Sequence, residues 1–487
     1  MRRRVDASGP APDPALARIS RTAAGSPAGA VARAGAVMIG PVLVAGLDLG
    51  STGMKILVTD EDGQEVITEQ VKTPWRLGPY GATELDATAL LVSVGHLIDA
   101  AAHRAAALTD APIGAIGISG MGESGMLIDP DGQAVAPAFA WFDARGAEQA
   151  AAFPWDIRAE FAGRTGLPLG AQVTVAKLAY FRDHGLRLPG LRWLNLPEFV
   201  AMSLGGDTLL EQSLVSRTGL IDQNSGQPWQ AMLDVLGVGP EFLPPVVDAG
   251  TLFGRAGRDA PSNVAGALIT VAGHDHLVAA EADGHLPADH YHVSIGTAEV
   301  LLRVIDAPLG FEARAHLASY LINDVRHIVP GKHVLVAGVK TGLLLRRALQ
   351  AAGINDLAGR ERLDAATMQL PYEGLLAAGG IEVSGARNDD GVLRLTLRTD
   401  DVSPAEIFGA LLRHSNDEIE ILINAMEREL PPARTSTLTG GWAGMASVQR
   451  ARSRVLPRLT ASTREQETAF GAARFAARML STSSRAL

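Results

Sequence analysis

Residues 42–63, VLVAGLDLGSTGMKILVTDEDG, carry the reading of the whole chain. The run from Val42 to Leu47 is almost wholly apolar, as befits a short strand buried on both faces, and Asp48 ends it. Gly50, Ser51, Thr52 and Gly53 form a small-residue turn. Met54 to Thr59 then resumes as a second strand, which Asp60-Glu61-Asp62-Gly63 breaks before a third strand at Glu65 to Thr73. A carboxylate therefore stands on a glycine-rich hairpin whose backbone can approach phosphate. This strand, turn, strand order excludes a dinucleotide-binding fingerprint, which needs a helix directly after its glycines.

Further along, Leu90, Val94, Leu97, Ile98 and Ala101 recur at helical spacing within Glu84 to Ala106, and Ile113 to Ile118 reads as another buried strand. A turn at Ser119 to Ser124, a strand at Met126 to Ile128 and an extended run to Trp141-Phe142 follow. Helical patterns dominate from Asp156 to Gly237. Residues 268–305 echo the opening: with Asp48 placed on Ser294, DLGSTGMKILV lies over SIGTAEVLLRV, so that Gly50 meets Gly296 and Ser51 meets Thr297. The separation is far too long for a solenoid repeat and suits two lobes, each with one phosphate hairpin facing a shared cleft. Later come a strand at Val334 to Ala337 opening into Gly338, a helix at Leu343 to Ala352, a strand at Thr435 to Thr439 leading into Gly440-Gly441, and a helix from Glu465 to Leu480.

Length and composition agree with two domains: 487 residues, 47% of them hydrophobic, exceed one ordinary core. A formal charge of -10 and a pI near 5.7 argue against nucleic acid or an anionic membrane as the main partner. The chain has no cysteine, which removes disulfides and thiolate metal sites and suits the cytoplasm. No uncharged apolar stretch is long enough to span a bilayer. The first 37 residues, rich in Ala, Arg, Pro and Gly, read as a disordered extension, since no apolar segment follows their arginines to make a targeting peptide. Met38, just before the first strand, is a second candidate start of translation.

The other carboxylate of interest is Asp275, in Leu268-Ile-Thr-Val-Ala-Gly-His-Asp275, again at the end of an apolar strand beside a glycine. Two acids on strand ends, one per lobe, suit metal-assisted phosphoryl transfer, in which one holds Mg2+ with its water shell and the other accepts the proton of an attacking hydroxyl. His274 and His276 flank Asp275, but alternate residues point apart, which argues against a histidine metal site. For a polyhydroxylated acceptor, Glu123, Trp141, Asp143 and Arg145 offer hydrogen-bonding groups and a flat apolar face. Gly338-Val339-Lys340-Thr341 has the wrong glycine spacing for a Walker P-loop.

With these turns and acids the chain resembles the FGGY family of carbohydrate kinases, within the actin, hexokinase and Hsp70 ATPase superfamily. The likeness runs from about Val42 to Ala477. It rests on DLGSTGMK, on Gly117-Ile-Ser-Gly-Met-Gly-Glu123, on Trp141-Phe-Asp143-Ala-Arg145, on AGHD at Asp275, on IGTAE at Ile295 to Glu299, on Leu438-Thr-Gly-Gly441 and on Glu467-Thr-Ala-Phe-Gly-Ala-Ala473. The resemblance implies an α/β protein of two actin-like ATPase (ribonuclease H-like) lobes around a central cleft. Residues 38–285 would be the first lobe with the sugar site and 286–487 the second with the nucleotide site.

It further implies ATP and Mg2+ as cofactors, Asp275 as catalytic base, and Asp48 together with Asp275 at the metal. Thr52, Gly53 and Lys55 would lie by the transferable phosphate, Gly296 and Thr297 would form the second phosphate hairpin, and Gly338 and Gly441 would let backbone approach the nucleotide. Glu123, Trp141, Asp143, Arg145 and Asp275 would face the acceptor. A sugar or polyol is the implied partner, and a homodimer is compatible with the family. Two departures stand out. Gly122-Glu123 replaces the Met-His pair of xylulose kinases and matches polyol kinases only in part, because no arginine precedes the glutamate; and the usual Ala-Asp pair after Gly441 appears as Ala451-Arg452, in an arginine-rich face of Arg450, Arg452 and Arg454. The expected activity is transfer of the γ-phosphoryl group of ATP to a hydroxyl of a ketose, polyol or sugar acid. The alternatives are an actin- or Hsp70-like ATPase and a sugar-binding regulator that phosphorylates nothing.

Overall fold

The computed structural model describes residues 42–485 apart from 258–259, 283, 285, 374–377, 387–393 and 463–465, so the expected disordered extension at 1–37 and Met38 lie outside the described residues. Strands β1 (Leu43–Leu49), β2 (Gly53–Thr59) and β3 (Glu65–Lys72) form the expected hairpins, and Asp48 is the penultimate residue of β1 instead of lying beyond its end. Helix α1 (Ala87–Ala106) follows, its first turn capped by the Asp86 carboxylate on the Ala89 amide at 3.0 Å. Strands β4 (Ile113–Gly120), β5 (Leu252–Arg255) and β6 (Leu268–His274) complete a six-stranded sheet in the order β5-β6-β4-β1-β2-β3. Helix α2 (Asp275–Ala280) starts at the residue that the sequence left on a strand end.

The second sheet is built from β7 (His290–Ile295), β8 (Glu299–Ile305), β9 (Asn323–Arg326), β10 (His333–Val339), β11 (Thr435–Thr439) and β12 (Leu459–Ala461), in the order β9-β10-β8-β7-β11-β12. The two sheets share one plan. In each, an antiparallel meander of three strands (β1, β2, β3; β7, β8, β10) is flanked beside its first strand by two parallel strands (β4 and β6; β11 and β12). The internal echo is therefore a repeat of topology. Its ungapped alignment needs one correction: Leu49 pairs with Met54 across the first turn, whereas Ile295 pairs with Glu299 across the second, so the second turn is one residue shorter and later residues slip in register.

Two features cross the division expected at residue 285. Alternate residues of the second sheet join different cores: Val300, Leu302, Val334 and Val336 pack with the first lobe, and Leu301, Leu335 and Ala337 with the second. Both faces are covered, which accounts for the continuous apolar runs. The last helix, α8 (Glu467–Arg485), packs on the first sheet and on α2. Its approach is close because Gly46 of β1 and Gly117 of β4 are register partners; a Cβ at either would fall on the carbonyl oxygen of Ala469 or Ala472. The second lobe also contains a helix not read from sequence, Pro404–Glu429, opened by a capping box between Ser403 and Glu406. Among the described residues no helix is long and apolar enough to cross a membrane.

Candidate active site

The parallel pairing of β1, β4 and β6 places Asp48 beside Ser119, and Ser119 beside Gly273, whose carbonyl oxygen accepts the Ser119 hydroxyl at 2.9 Å. Asp275 lies two residues beyond, at the start of α2. The charge of Asp275 bears on Asp48, yet the environments of the two carboxylates differ. Burial, then the charge of Asp275, pushes the Asp48 carboxyl up to about 7 against the pull of Lys55, its register partner on β2. Its Oδ1 is buried with no partner. Burial also raises the Asp275 carboxyl, but the flanking imidazoles, the His276 amide at 2.7 Å and Arg217 outweigh it and hold the group below the usual carboxylate range.

The first glycine turn is fixed from outside: Thr73 Oγ1 donates to the Gly50 carbonyl at 2.6 Å and Trp75 Nε1 to the Ser51 carbonyl at 2.7 Å, which leaves Thr52 exposed at the tip beside Gly53. In the second turn Gly296 and Thr297 are exposed. A Cβ at Gly342, on the first turn of helix α4 (Thr341–Ala351, which lies before Pro404–Glu429), would fall on the Gly296 carbonyl oxygen, and one at Gly440 would press on Ile295. The start of α4 and the end of β11 thus close on this turn, and the hydroxyls of Thr341 and Thr439 are buried there without partners. Gly338 and Gly441 are exposed, with open space where a Cβ would stand at Gly441. His276 also bears on His292 of β7, whose imidazole burial pushes down to about 3, so the start of α2 faces the second sheet.

Among the residues expected to face an acceptor, Glu123 adopts φ +58° and accepts Arg217 Nε at 2.6 Å and Nη2 at 2.5 Å on one oxygen. Arg217 is 6% exposed, and its Nη1 has no partner. Gly122 is what lets it in, because a Cβ there would lie 3.0 Å from both Arg217 and the His274 ring. Trp141 is 39% exposed and meets Phe142 edge to face, and Trp75 lies against Phe142 in turn. Asp143 and Arg145 do not fit the role expected of them. Asp143 is buried, binds the Thr83 amide at 2.7 Å and takes Arg145 on both oxygens, while Arg145 also reaches Glu84 at 2.6 Å and lies over the Phe139 ring. With their hydrogen bonds spent internally, these two anchor the segment that presents Trp141. Lys177, buried and pushed down to about 8, steadies the same segment through the Trp141 carbonyl at 3.2 Å.

Residues 43–280 match the N-terminal domain of the FGGY family of carbohydrate kinases. The chain thus carries an N-terminal domain of the FGGY family. It is 31% identical over 223 residues to a glycerol kinase of Trichlorobacter lovleyi, covering 43% of this chain and 44% of that one. It is 20% identical over 297 residues to a gluconokinase of Bacillus subtilis, covering 59% and 56%. The chain thus matches about half the length of these curated relatives. Solved structures extend the fold to the second lobe: gluconate kinase from Lactobacillus acidophilus has a TM-score of 0.78 at 16% identity, covering 91% of this chain and 90% of that one, and Plasmodium falciparum glycerol kinase with ADP has 0.78 at 16%, covering 90% of each. The expected actin-like ATPase fold is present.

Within this FGGY-type domain the sequence reading passed over Arg217, whose only signal was an arginine next to threonine in a helical region. It also misplaced Arg452. That residue is fully buried in helix Ala446–Arg452, forms a bidentate pair with Glu299 at 2.6 Å on each oxygen, and binds Ser415 and Asn416. It therefore pins the strand that leaves the second glycine turn, and is buried instead of presenting the arginine-rich face expected with Arg450 and Arg454. Arg450 is likewise spent on the Thr367, Met368 and Leu370 carbonyls.

Proposed function

We propose that the protein transfers the γ-phosphoryl group of ATP to a hydroxyl of a polyol, ketose or sugar acid. The observation that carries this reading is the pair Asp48 and Asp275, one near the end of β1 and the other opening α2 just beyond β6, whose surroundings drive their proton affinities apart, one toward neutrality and one firmly ionised. The ionised group suits a general base at the acceptor hydroxyl. The buried oxygen of Asp48 suits a hydrated divalent cation; among the described residues no three His, Asp or Glu side chains form a metal cage, which fits Mg2+ held largely through water and phosphate. Bound in the cleft, Mg2+ and ATP would supply the phosphoryl group and the positive charge that balances its oxygens.

Asp275 would accept the proton of the acceptor hydroxyl as that oxygen attacks. Thr52, Gly53, Gly296 and Thr297 would direct backbone N–H groups toward the phosphates, with Lys55 adding charge. Gly338 and Gly441 would leave room for the nucleoside. Glu123 and Arg217, one accepting and one donating, would orient neighbouring oxygens of the acceptor, and Trp141 would cover its apolar face. Replacing Asp275 with Asn should abolish turnover and leave ADP affinity nearly unchanged, and full activity in that variant would remove Asp275 from its role. Failure of a whole panel of ketoses, aldoses, polyols and aldonic acids to stimulate ATP consumption would favour an ATPase without an acceptor.

A further inference from the structure

A cavity of about 310 Å³ opens between segments of the first lobe and the edge strand β9 of the second sheet. Gln212, Arg326, Asp248, Thr251 and Val246 are among the residues that line it. The Gln212 side chain is 7% exposed, yet its Nε2 has no partner. Arg326 is in the same condition: its Nε is buried without a partner, and Nη2 reaches only the Gln223 carbonyl at 3.4 Å. Burial alone depresses its guanidinium, with no carboxylate offsetting it. The turn beneath is shaped to receive this group, since Gly226, at φ +69°, would with any Cβ collide with the guanidinium.

Two buried donors and an uncompensated cation, facing one cavity, are costly to leave unsatisfied, and an oxyanion answers all three at once. We propose that this cavity binds a small hydroxylated anion, a sugar acid or a sugar phosphate, with Arg326 and Gln212 holding its carboxylate or phosphate oxygens and Asp248 and Thr251 facing its hydroxyls. One guanidinium opposite one carboxylate excludes a nucleoside triphosphate, whose charge it could not balance. The volume lies at the lower end of the roughly 300–1,000 Å³ of small-molecule sites, which suits a five- or six-carbon ligand. Arg326 comes from the second sheet and Gln212 from the first lobe, so the ligand bridges the two. Ser213, next to Gln212, accepts the His274 amide at 3.1 Å, which ties the cavity wall to the last residue of β6, next to Asp275. This assignment does not depend on the acceptor used in the cleft.

The test is calorimetric titration of the full chain with gluconate and, separately, with ribose 5-phosphate, both with saturating Mg2+ and ADP so that the phosphate turns are filled. Saturable binding of either anion is expected, weakened about tenfold or more in Arg326→Gln. Val246→Glu, at a position 43% exposed and so tolerant of change, should weaken it several-fold by repulsion, while ADP affinity stays unchanged in both variants. Binding of gluconate alone supports the site and makes the group it selects a carboxylate; binding of ribose 5-phosphate alone supports it and makes the group a phosphate. Equal affinity in the unaltered chain and both variants, or no binding of either anion at 10 mM, overturns the proposal.

Discussion

Asp48→Asn should stabilise the nucleotide-free protein while destroying its activity, and the gain should grow with pH. The carboxyl rises from 3.8 to about 7 on folding, so the folded state resists ionisation that the unfolded chain accepts freely. A group raised in this way contributes its full stability below the unfolded value, and that contribution is lost as pH rises through about 7. At about 1.36 kcal/mol per unit, the retained charge costs about 4 kcal/mol at pH 8 and about 2 kcal/mol at pH 5. Asparagine has the same shape and no charge, so it removes this cost. Thermal unfolding without nucleotide should show a midpoint several degrees above that of the unaltered chain at pH 8, with a distinctly smaller gain at pH 5. The same variant should not turn over, an exchange of stability for function at the carboxylate proposed to hold the cation. An unchanged or lower midpoint at pH 8, or an equal gain at both pH values, would refute the account of Asp48 as a buried charge awaiting a cation.

Arg217→Met should raise the acceptor KM about 10- to 100-fold with a smaller effect on kcat, because it removes a charged donor and leaves Glu123 unpaired, and Arg217→Lys should recover part of the loss; steady-state kinetics at saturating ATP decide it. Arg452→Met should destabilise the second lobe by about 3–5 kcal/mol by stranding the Glu299 charge in the core, and pairing it with Glu299→Leu should restore most of that, a contrast that thermal melts of the single and double variants would reveal. Gly46→Ala should displace the last helix from the first sheet at a cost of about 3 kcal/mol or more, seen as early protease cleavage within residues 467–485.

The order of the strands around each turn was legible because it rests on short-range signals. Apolar runs of strand length and glycines at the bends leave few alternatives within 20 residues, and the repeat of that pattern at Ile295, with Ser294 in the place of Asp48, disclosed the second sheet. The helix at Pro404–Glu429 carries an equally local signal in its capping box. The boundaries were less legible. Asp48 proved to lie inside its strand and Gly338 inside β10, because ladder hydrogen bonds to neighbours remote in sequence extend a strand past the point where its apolar run ends.

What the sequence determined by itself is the part in which each residue's role depends on its neighbours along the chain: the two glycine-turn hairpins, the apolar strands that lead to Asp48 and Asp275, and the glycine-rich exit from β11. What the tertiary structure alone decided is who meets whom. Arg217 binds Glu123 across 94 residues and Arg452 binds Glu299 across 153, while Asp143 and Arg145, adjacent on the page to a promising tryptophan, turn inward to each other and to Glu84. A charged side chain written in a sequence has many possible partners, and only the packing of sheets and helices fixes which one is close enough, and dry enough, to take it.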